Sequence, residues 1–440
     1  MNQTGSILIS VKSISTDSAL SKIINLVKSA QASKPVIGKL VDKVTAVFVP
    51  IVVIIAVSTF IVWSFISVPQ AISASIAVLV IACPCALGLG TPIAMMIGSG
   101  KSAQYGILVR NGEVMQSASE LTHIVFDKTG NITQGKPQVV DMNFYSEIAV
   151  SNQDIQSYVL SAEEHSEHPL AGSILKHLKD INIPRVDIDF FESLTGMGVI
   201  AKFGENKILI GNSKLMAKYD INIKAIHEDI NNFSLDSATP IIVAFNGEVA
   251  ATIAIKDPIK SDSKEAIIKL QKMGIKTSMI SGDNKKTAEI IAKYVGIHTV
   301  FAEAMPKDKS EYISNLQQQG YKVGMVGDGI NDAPALSQAN VGFAMGSGTD
   351  IAIESADITM VNHSLIGVNN AIILSKSIMK NIKQSLFGAF IYNIVGIPIA
   401  AGILYPFSGV MLSPIFASAA MALSSITVVL SASRLRKLKL

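Results

Sequence analysis

The chain is poor in cysteine, in aromatic residues and in charge. Of its 440 residues only two are cysteines, 6% are aromatic and 16% are charged. Both cysteines lie in one short motif, so we expect no disulfide framework and a soluble part that suits a reducing compartment. Basic stripes with interleaved aromatic residues are absent, which excludes an ordinary nucleic-acid-binding protein. No cleavable signal pattern follows Met1, where apolar and polar residues instead alternate as in a strand.

Apolar residues, in contrast, are abundant at 49%. Four apolar runs are long enough to span a bilayer, and they cover residues 46–66, 73–98, 386–405 and 411–432. Basic residues flank the outer ends of these runs and are missing from the connections at 67–70 and 406–409, so the positive-inside rule places both termini and the long middle segment in the cytoplasm. The flanking residues, which also account for the net charge of +3, are Lys34, Lys39, Lys43, Lys101, Arg110, Lys376, Lys380, Lys383, Arg434, Arg436, Lys437 and Lys439.

The second apolar run contains the motif Cys83-Pro84-Cys85. A proline inside a helix frees a backbone carbonyl, which hydrocarbon tolerates only where protein or a water-lined cavity satisfies it. The motif is therefore expected to face a cavity and to offer two soft sulfur ligands, which select Cu(I) or Zn(II) over hard cations. A kinked helix with two buried cysteines is the alternative.

Three strand-like runs in the middle segment end in polar turns. The first run ends at Asp127, the second leads into Ser281-Gly282-Asp283, and the third leads into Asp328 and Asp332. In a parallel α/β sheet such turns meet at one edge, so these side chains are expected to form one site. Taken singly, each aspartate could equally be a solvated turn residue or a helix cap.

This set of groups is suited to phosphoryl transfer. A carboxylate can attack a phosphoryl group if a cation neutralises the phosphoryl oxygens, and Asp127 is the candidate nucleophile. Asp127 and Asp328 are the candidate Mg²⁺ ligands. Lys309 would add a fixed positive charge, and Ser281 would donate a hydrogen bond to the phosphate. Considered alone, Lys309 could instead be an exposed lysine at a helix start.

A second α+β unit interrupts the middle segment at residues 137–249. Its glycines would let the backbone approach a ring or a phosphate closely, although a tight hairpin turn explains them equally well. The candidate nucleotide-binding residues of this unit are Glu163, His168, Gly196, Gly198 and Asn212.

Taken together, the motifs resemble the heavy-metal-transporting P-type ATPases. The resemblance implies a membrane α-helical protein with a haloacid-dehalogenase-like cytoplasmic α/β phosphorylation domain and an inserted α+β nucleotide-binding domain. It implies that ATP phosphorylates Asp127, that Asp328 binds Mg²⁺, and that Lys309 and Ser281 hold the phosphate. The motifs that carry the resemblance are Asp127-Lys128-Thr129-Gly130, Ser281-Gly282-Asp283-Asn284, Gly327-Asp328-Gly329-Ile330-Asn331-Asp332, His168-Pro169 and Cys83-Pro84-Cys85.

The last two apolar runs bear on the choice of transported metal. Tyr392-Asn393 and the run from Met421 to Ser425 resemble the Cu(I) exporters of this family. The resemblance thus implies Cu(I), with Ag(I) as a second cargo, bound by Cys83 and Cys85 with Tyr392, Asn393, Met421 and Ser425 along the path. A zinc or cadmium pump is one alternative, and a membrane-anchored, phosphatase-like remnant without transport is another.

The chain departs from the family pattern in three places. Asn131-Ile132-Thr133 stands where the family's phosphorylation loop continues with Thr-Leu-Thr, and we expect phosphorylation to be impaired there but not abolished. An amino-terminal Cys-x-x-Cys domain is not found. The chain also starts inside the family's actuator domain, so we expect it to be truncated, to form the phosphoenzyme, to turn it over poorly and to transport no metal alone.

These expectations give a multi-pass protein of the bacterial inner membrane with cytoplasmic termini. Its partners would be membrane lipid, a copper chaperone, or a second chain that supplies the missing actuator and helices, but no nucleic acid. The expected domains are the actuator end (1–33), two membrane helices (34–100), the phosphorylation domain (101–136 and 250–385), the nucleotide-binding domain (137–249), and two membrane helices with a basic tail (386–440).

Overall fold

The structure is a computed structural model that describes residues 28, 30–31, 33–145, 150–166, 168, 170–235, 238–328, 332–346 and 354–440. Most of the expected actuator end lies outside these residues, as do Pro169 and the Gly329-Ile330-Asn331 segment. The chain divides into two compact units. The first comprises Met1–Thr122, Gly320–Gly324 and Leu336–Leu440, and the second comprises His123–Gln319 and Met325–Ala335.

Helices make up the larger part of the described structure. Their bounds, in chain order, are α1 Val36–Ser64, α2 Val68–Ile81, α3 Cys85–Gln104, α4 Gly112–Ser119, α5 Asn152–Glu163, α6 Ala171–Asp180, α7 Ser213–Lys218, α8 His227–Leu235, α9 Ser263–Lys272, α10 Lys285–Val295, α11 Pro306–Gln318, α12 Ala333–Gln338, α13 Ile366–Ala400, α14 Tyr405–Ser408 and α15 Pro414–Ser433. A 3₁₀ helix, Arg434–Lys437, continues directly from α15.

The strands form two sheets. The first has seven strands in the order β1-β13-β12-β11-β2-β9-β10, with β2, β9 and β10 parallel to one another and β1 antiparallel at the edge. The second has six antiparallel strands in the order β3-β8-β7-β6-β5-β4. The strands are β1 Ile107–Val109, β2 His123–Asp127, β3 Gln138–Phe144, β4 Phe190–Leu194, β5 Gly198–Phe203, β6 Asn206–Gly211, β7 Thr239–Phe245, β8 Glu248–Lys256, β9 Lys276–Ile280, β10 Thr299–Phe301, β11 Val323–Gly327, β12 Val341–Met345 and β13 Ile358–Met360.

Three helical segments among the described residues are long and apolar enough to cross a membrane: Val36–Ser64, Ile366–Ala400 and Pro414–Lys437. The expected span at 73–98 is instead two helices, because α2 ends at Ile81 and α3 starts at Cys85. The break falls where Pro84 lacks an amide hydrogen, as the sequence predicts. The expected span at 386–405 starts inside the 35-residue helix α13 and runs past the end of that helix at Ala400.

Apolar side chains from several of these helices pack together inside the first unit. Small residues such as Ala56, Ala77 and Ala82 pack with Ile397 and Ala417, which allows close approach of the helices. The indole Nε1 of Trp63 donates a 2.9 Å hydrogen bond to the Ala401 carbonyl, which has no intrahelical partner at the end of α13.

The six-stranded sheet carries helices against its core side chains. Val159 and Leu160 of α5 and Leu178 of α6 pack with Ile208 and Ile253 of the sheet. The strand β8 continues to Lys256, beyond the expected domain end at 249. A fragment that keeps the whole sheet must therefore extend to about residue 257.

Candidate functional site

The candidate active site lies in the second unit, where three neighbouring strands end. In the seven-stranded sheet β2 lies between β11 and β9. Asp127 is the last residue of β2 and lies opposite Ile280 of β9, so that Ser281 follows in the adjacent strand. Asp328 directly follows β11. The predicted convergence of the three acidic turns at one sheet edge is confirmed.

A buried lysine joins two of the carboxylates. The Lys309 Nζ atom lies 2.6 Å from Asp127 Oδ1 and 2.7 Å from Asp332 Oδ1. All three residues are buried, which means that the ammonium group is essential to the charge balance here. Lys309 is therefore not an exposed lysine; the first turn of α11, which starts at Pro306, holds it in the site.

Burial and the neighbouring charges shift the pKa values of Asp127 and Lys309. Burial raises the pKa of Asp127 to about 7, the Asp332 carboxylate adds to this rise, and Lys309 opposes it. Burial lowers the pKa of Lys309, but the charges of Asp127 and Asp332 outweigh burial and raise it overall. Lys309 therefore stays protonated.

The carboxylates of the site have the chemistry of a magnesium ligand set. Oxygen atoms of Asp127, Asp328 and Asp332 lie within 4.8 Å of one another. Lys309 offsets one of these charges, and burial followed by the Asp332 charge raises the pKa of Asp328. Hard carboxylate oxygens in a negatively charged pocket fit Mg²⁺, which binds through one or two carboxylates and substrate phosphate.

The loop after Asp127 is packed tightly against Asp328. The Thr129 amide donates a 3.1 Å hydrogen bond to Asp127 Oδ2, while the Thr129 side chain itself is exposed. Gly130 has φ +74°, and a Cβ atom there would lie 1.9 Å from Asp328 Oδ2. Only glycine therefore fits between the two aspartates.

Asn131, at which the sequence departs from the family pattern, is fully buried. Its Nδ2 atom donates a 3.1 Å hydrogen bond to the Thr129 carbonyl, and its Oδ1 atom has no hydrogen-bond partner in the described part of the chain. An amide thus fits this position, and the expected impairment of phosphorylation stays a prediction.

The turn that begins at Ser281 is held beside the loop by an ion pair. Lys128 Nζ lies 2.5 Å from Asp283 Oδ2, and the Asp283 amide donates a 3.1 Å hydrogen bond to Ser281 Oγ. Ser281 is buried, whereas Gly282 is exposed. Sequence reasoning missed the role of Lys128, although its position next to the candidate nucleophile was a usable signal.

Asp257 is a second residue that sequence reasoning missed. Its carboxylate accepts hydrogen bonds from the Thr133 hydroxyl (2.6 Å), the Gly135 amide (3.1 Å) and the Lys136 amide (3.0 Å). These contacts join the two chain segments that connect the inserted sheet to the rest of the second unit, next to the loop that follows Asp127. The run Asp257-Pro258 after a strand was the available signal in the sequence.

Three of the candidate nucleotide residues form one local structure. Asn212 Nδ2 donates a 2.9 Å hydrogen bond to the Gly196 carbonyl, and Asn212 Oδ1 caps α7 by accepting from Lys214 and Leu215 amides. Gly198 lies opposite Gly211 at the start of β5, where a Cβ atom would lie 2.2 Å from the Ile210 carbonyl oxygen.

The other two candidates follow α5. Glu163 is buried at the end of this helix, and burial raises its pKa to about 7 although a hydrogen bond with Ser166 opposes the rise. His168 is exposed, and its Nδ1 atom accepts a 3.2 Å hydrogen bond from the Leu170 amide. Within the part of the chain that the structure describes, no hydrogen bond joins Glu163 or His168 to Asn212.

The cysteine motif lies at the break between α2 and α3. The structure joins the Sγ atoms of Cys83 and Cys85 in a disulfide, so the expectation that the chain holds no disulfide is wrong for this structure. Only one residue, Pro84, separates the cysteines, so adjacent sulfurs are a direct result of the motif. Cys83 is half-buried and Cys85 is exposed, which corrects the alternative of two buried cysteines.

The other candidate metal-path residues lie on α13 and α15. Asn393 and Met421 are buried, Ser425 is half-buried, and Tyr392 packs against the apolar cluster that contains Ala82, the residue before Cys83.

The geometry around Gly130 generates a test of the carboxylate site. The substitution Gly130→Ala is expected to weaken Mg²⁺ affinity at least about tenfold, because the added methyl group must displace the Asp328 carboxylate. Mn²⁺ bound to the purified chain, followed by electron paramagnetic resonance and displaced by Mg²⁺, measures this affinity. Gly274→Ala is the matched control, since Gly274 has φ +77° and open space around its Cα. Unchanged affinity in Gly130→Ala would contradict the site.

The pKa of Glu163 predicts a pH-dependent stability. The unfolded chain releases the Glu163 proton near pH 4.5 whereas the folded chain holds it to about 7, so rising pH destabilises the fold across this window. In a fragment spanning residues 137–257, the free energy of unfolding should therefore fall by about 2 to 3 kcal/mol between about pH 5 and about pH 8, and Glu163→Gln should abolish this fall. Urea unfolding at both pH values measures it. The exposed Glu205→Gln is the control, and an equal pH slope in all three proteins would refute the prediction.

Comparison with protein families matches residues 121–340, half of the chain, to the haloacid dehalogenase-like hydrolases. A copper-exporting P-type ATPase of Vibrio cholerae is 45% identical over 440 residues, which cover 99% of this chain and 48% of that protein. The proteins of the same name from Legionella pneumophila and Staphylococcus aureus strain Newman are 42% and 46% identical to this chain. Each alignment covers 100% of this chain, and it covers 60% of the Legionella protein and 54% of the Staphylococcus protein.

The chain thus spans about half the length of the curated relatives it matches. Among solved structures, the crystal structure of a zinc-transporting PIB-type ATPase in the E2.Pi state superposes with a TM-score of 0.72 at 28% identity, covering 96% of this chain and 68% of that chain. The expected fold class, with a haloacid dehalogenase-like domain and helices that could span a membrane, is confirmed. The chain belongs to the haloacid dehalogenase-like hydrolase family, and over its whole length it is a homologue of P-type ATPases.

Proposed function

We propose that this chain carries the phosphorylation, nucleotide-binding and metal-binding parts of an ATP-driven Cu(I) exporter of the bacterial inner membrane. The observation that supports the proposal most directly is the buried Lys309 held between Asp127 and Asp332 at the strand ends. Three charged side chains would not be buried together in an ordinary solvated turn. In a site for phosphoryl transfer, the carboxylate supplies the nucleophile and the ammonium group stabilises the phosphoryl oxygens.

In the proposed reaction Asp127 is the nucleophile. An Asp127 carboxylate oxygen attacks the γ-phosphorus of ATP, the bond from that phosphorus to the bridging oxygen breaks, and ADP leaves with the electron pair. Mg²⁺ bound by Asp127 and Asp328 supplies positive charge that offsets the phosphoryl oxygens. Water later attacks the acyl phosphate and releases inorganic phosphate.

The surrounding side chains position the phosphoryl group. Lys309 is buried and preorganised, so its charge can stabilise the developing negative charge without rearrangement. The hydroxyl of Ser281 donates a hydrogen bond to the phosphoryl oxygens. The Asp283 amide donates to the Ser281 hydroxyl and leaves that hydroxyl's proton available for the phosphate.

We further propose that ATP binds the inserted domain at Glu163, His168, Gly196, Gly198 and Asn212. Bare backbone at Gly196 and Gly198 lets an adenine ring approach the sheet. The bond from Asn212 to Gly196 fixes the shape of that surface.

Reduced Cys83 and Cys85 are the proposed Cu(I) ligands, with Tyr392, Asn393, Met421 and Ser425 along the path. Two adjacent thiolates and a buried thioether favour a soft monovalent ion such as Cu(I) or Ag(I). Zn²⁺ is the alternative transported ion, because the structurally similar PIB-type ATPase is a zinc transporter. The lack of a charged ligand among Tyr392, Asn393 and Met421 argues against a divalent ion.

Asp127→Asn should abolish phosphoenzyme formation, because the amide is not a nucleophile. Purified chain incubated with γ-labelled ATP and Mg²⁺ should acquire acid-stable, hydroxylamine-labile label, and a cold chase should follow its loss. Removal of Mg²⁺ by a chelator should prevent labelling. The exposed Asp220→Asn is the control and should label normally. Equal labelling of Asp127→Asn would exclude Asp127 as the phosphorylated residue.

Copper bound to the reduced chain should have sulfur ligands. X-ray absorption of the Cu(I)-loaded protein is expected to show a sulfur shell that the double variant Cys83→Ser/Cys85→Ser loses, because hydroxyl groups bind Cu(I) poorly. Met305→Leu removes an exposed methionine of the second unit and should leave the shell intact. A sulfur shell that persists in the double variant, or tighter binding of Zn²⁺ than of Cu(I), would overturn the copper assignment.

A further inference from the structure

The carboxyl-terminal part of the chain carries positive charge without any compensating acid. Residues 366–440 contain no aspartate and no glutamate. Their basic residues fall in two groups, one within α13 and one after α15. These residues are Lys376, Lys380, Lys383, Arg434, Arg436, Lys437 and Lys439.

Hydrogen bonds bring the two groups together where α3 and α15 end beside the middle of α13. Asn381 Nδ2 of α13 donates 3.0 Å hydrogen bonds to the carbonyl and the hydroxyl of Ser431, near the end of α15. Lys101 Nζ of α3 donates a 3.1 Å hydrogen bond to the Arg436 carbonyl. The ends of α3 and α15 therefore meet the middle of α13 here. We call the charged residues of this place the basic end: Lys101, Lys380, Lys383, Arg434, Arg436 and Lys437.

The 3₁₀ helix after α15 directs its charges outward. Leu435 is buried, whereas Arg434, Arg436 and Lys437 are exposed. The buried leucine and the bond from Lys101 hold this segment against α3, so the charges are fixed in place rather than carried on a free tail. No ion pair within the described residues joins the basic end to a carboxylate.

The basic end lies at the height expected for lipid headgroups. Helix α15 has 20 residues, which at 1.5 Å per residue spans roughly the 30 Å hydrocarbon core. Leu423, Ile426 and Leu430 are exposed along it, as lipid-facing residues are, and the basic residues start directly after Ser433.

We propose that the basic end binds the headgroups of anionic phospholipids in the cytoplasmic leaflet. A lipid phosphodiester offers acceptor oxygens to the guanidinium groups of Arg434 and Arg436 and to the ammonium groups of the lysines. Charge complementarity selects an anionic lipid over a zwitterionic one, and the fixed 3₁₀ helix makes the selection a property of the folded chain.

The test uses the full chain reconstituted into phosphatidylcholine vesicles with spin-labelled lipids. The fraction of motionally restricted label gives the association constant of phosphatidylglycerol relative to phosphatidylcholine. We expect phosphatidylglycerol to be favoured severalfold and this preference to fall as NaCl is raised. The triple variant Arg434→Gln/Arg436→Gln/Lys437→Gln should lose most of the preference.

Two control variants test whether the lipid preference depends on the positive charge of the basic end rather than on the net charge of the protein or on the arginine side chains themselves. Arg434→Lys/Arg436→Lys keeps the charge and should keep the preference. Lys272→Gln/Lys285→Gln/Lys293→Gln removes three exposed charges from the second unit and should also keep it. Equal association constants for the two lipids in the unmodified chain would overturn the proposal. So would a triple variant at the basic end that retains the full preference.

Discussion

The site depends on burying several like charges in one place. Asp127 and Asp332 are both buried, and two carboxylates without a cation would not stay ionised there. Lys309 is the cation that the chain itself supplies, and removing one partner of such a buried pair typically destabilises a protein by about 3 to 5 kcal/mol. Asp328 adds a further carboxylate, whose oxygen atoms lie within 4.8 Å of those of the other two.

The backbone around the carboxylates is arranged to permit this concentration of charge. Gly130 adopts a left-handed conformation and leaves room for Asp328 against its Cα. Lys260 Nζ donates to the Gly130 carbonyl at 2.5 Å, and burial lowers the pKa of Lys260 although Asp262, Asp328 and Asp257 oppose this. The loop is thus held from several sides, which suits a nucleophile that must meet a phosphoryl group in line.

Asp257 extends the same arrangement to the inserted sheet. Asp257 accepts hydrogen bonds from the Thr133 hydroxyl and from the Gly135 and Lys136 amides, and so ties the chain that follows the Asp127 loop to the chain returning from β8. The carboxylate of Asp257 therefore lies on the connection between the inserted sheet and the loop that follows Asp127.

The sequence by itself determined the features that depend on local pattern. Apolar runs predicted helices that could span a membrane, Pro84 predicted the break between α2 and α3, and buried strands ending in aspartate predicted the site at one sheet edge. The sequence also predicted that Lys309 belongs to the site of Asp127. The direct contacts between side chains that are distant in the chain were decided only by the tertiary structure, because nothing local marks them. Lys309 and Asp127 are 182 residues apart, and Thr133 and Asp257 are 124 apart. Lys128 and Asp283 form their ion pair, and Asn381 bonds to Ser431, only after packing has brought their elements together. Hydrophobic periodicity fixes which face of an element is buried, but the partner of a polar side chain is set by the register and topology of the whole sheet and helix bundle.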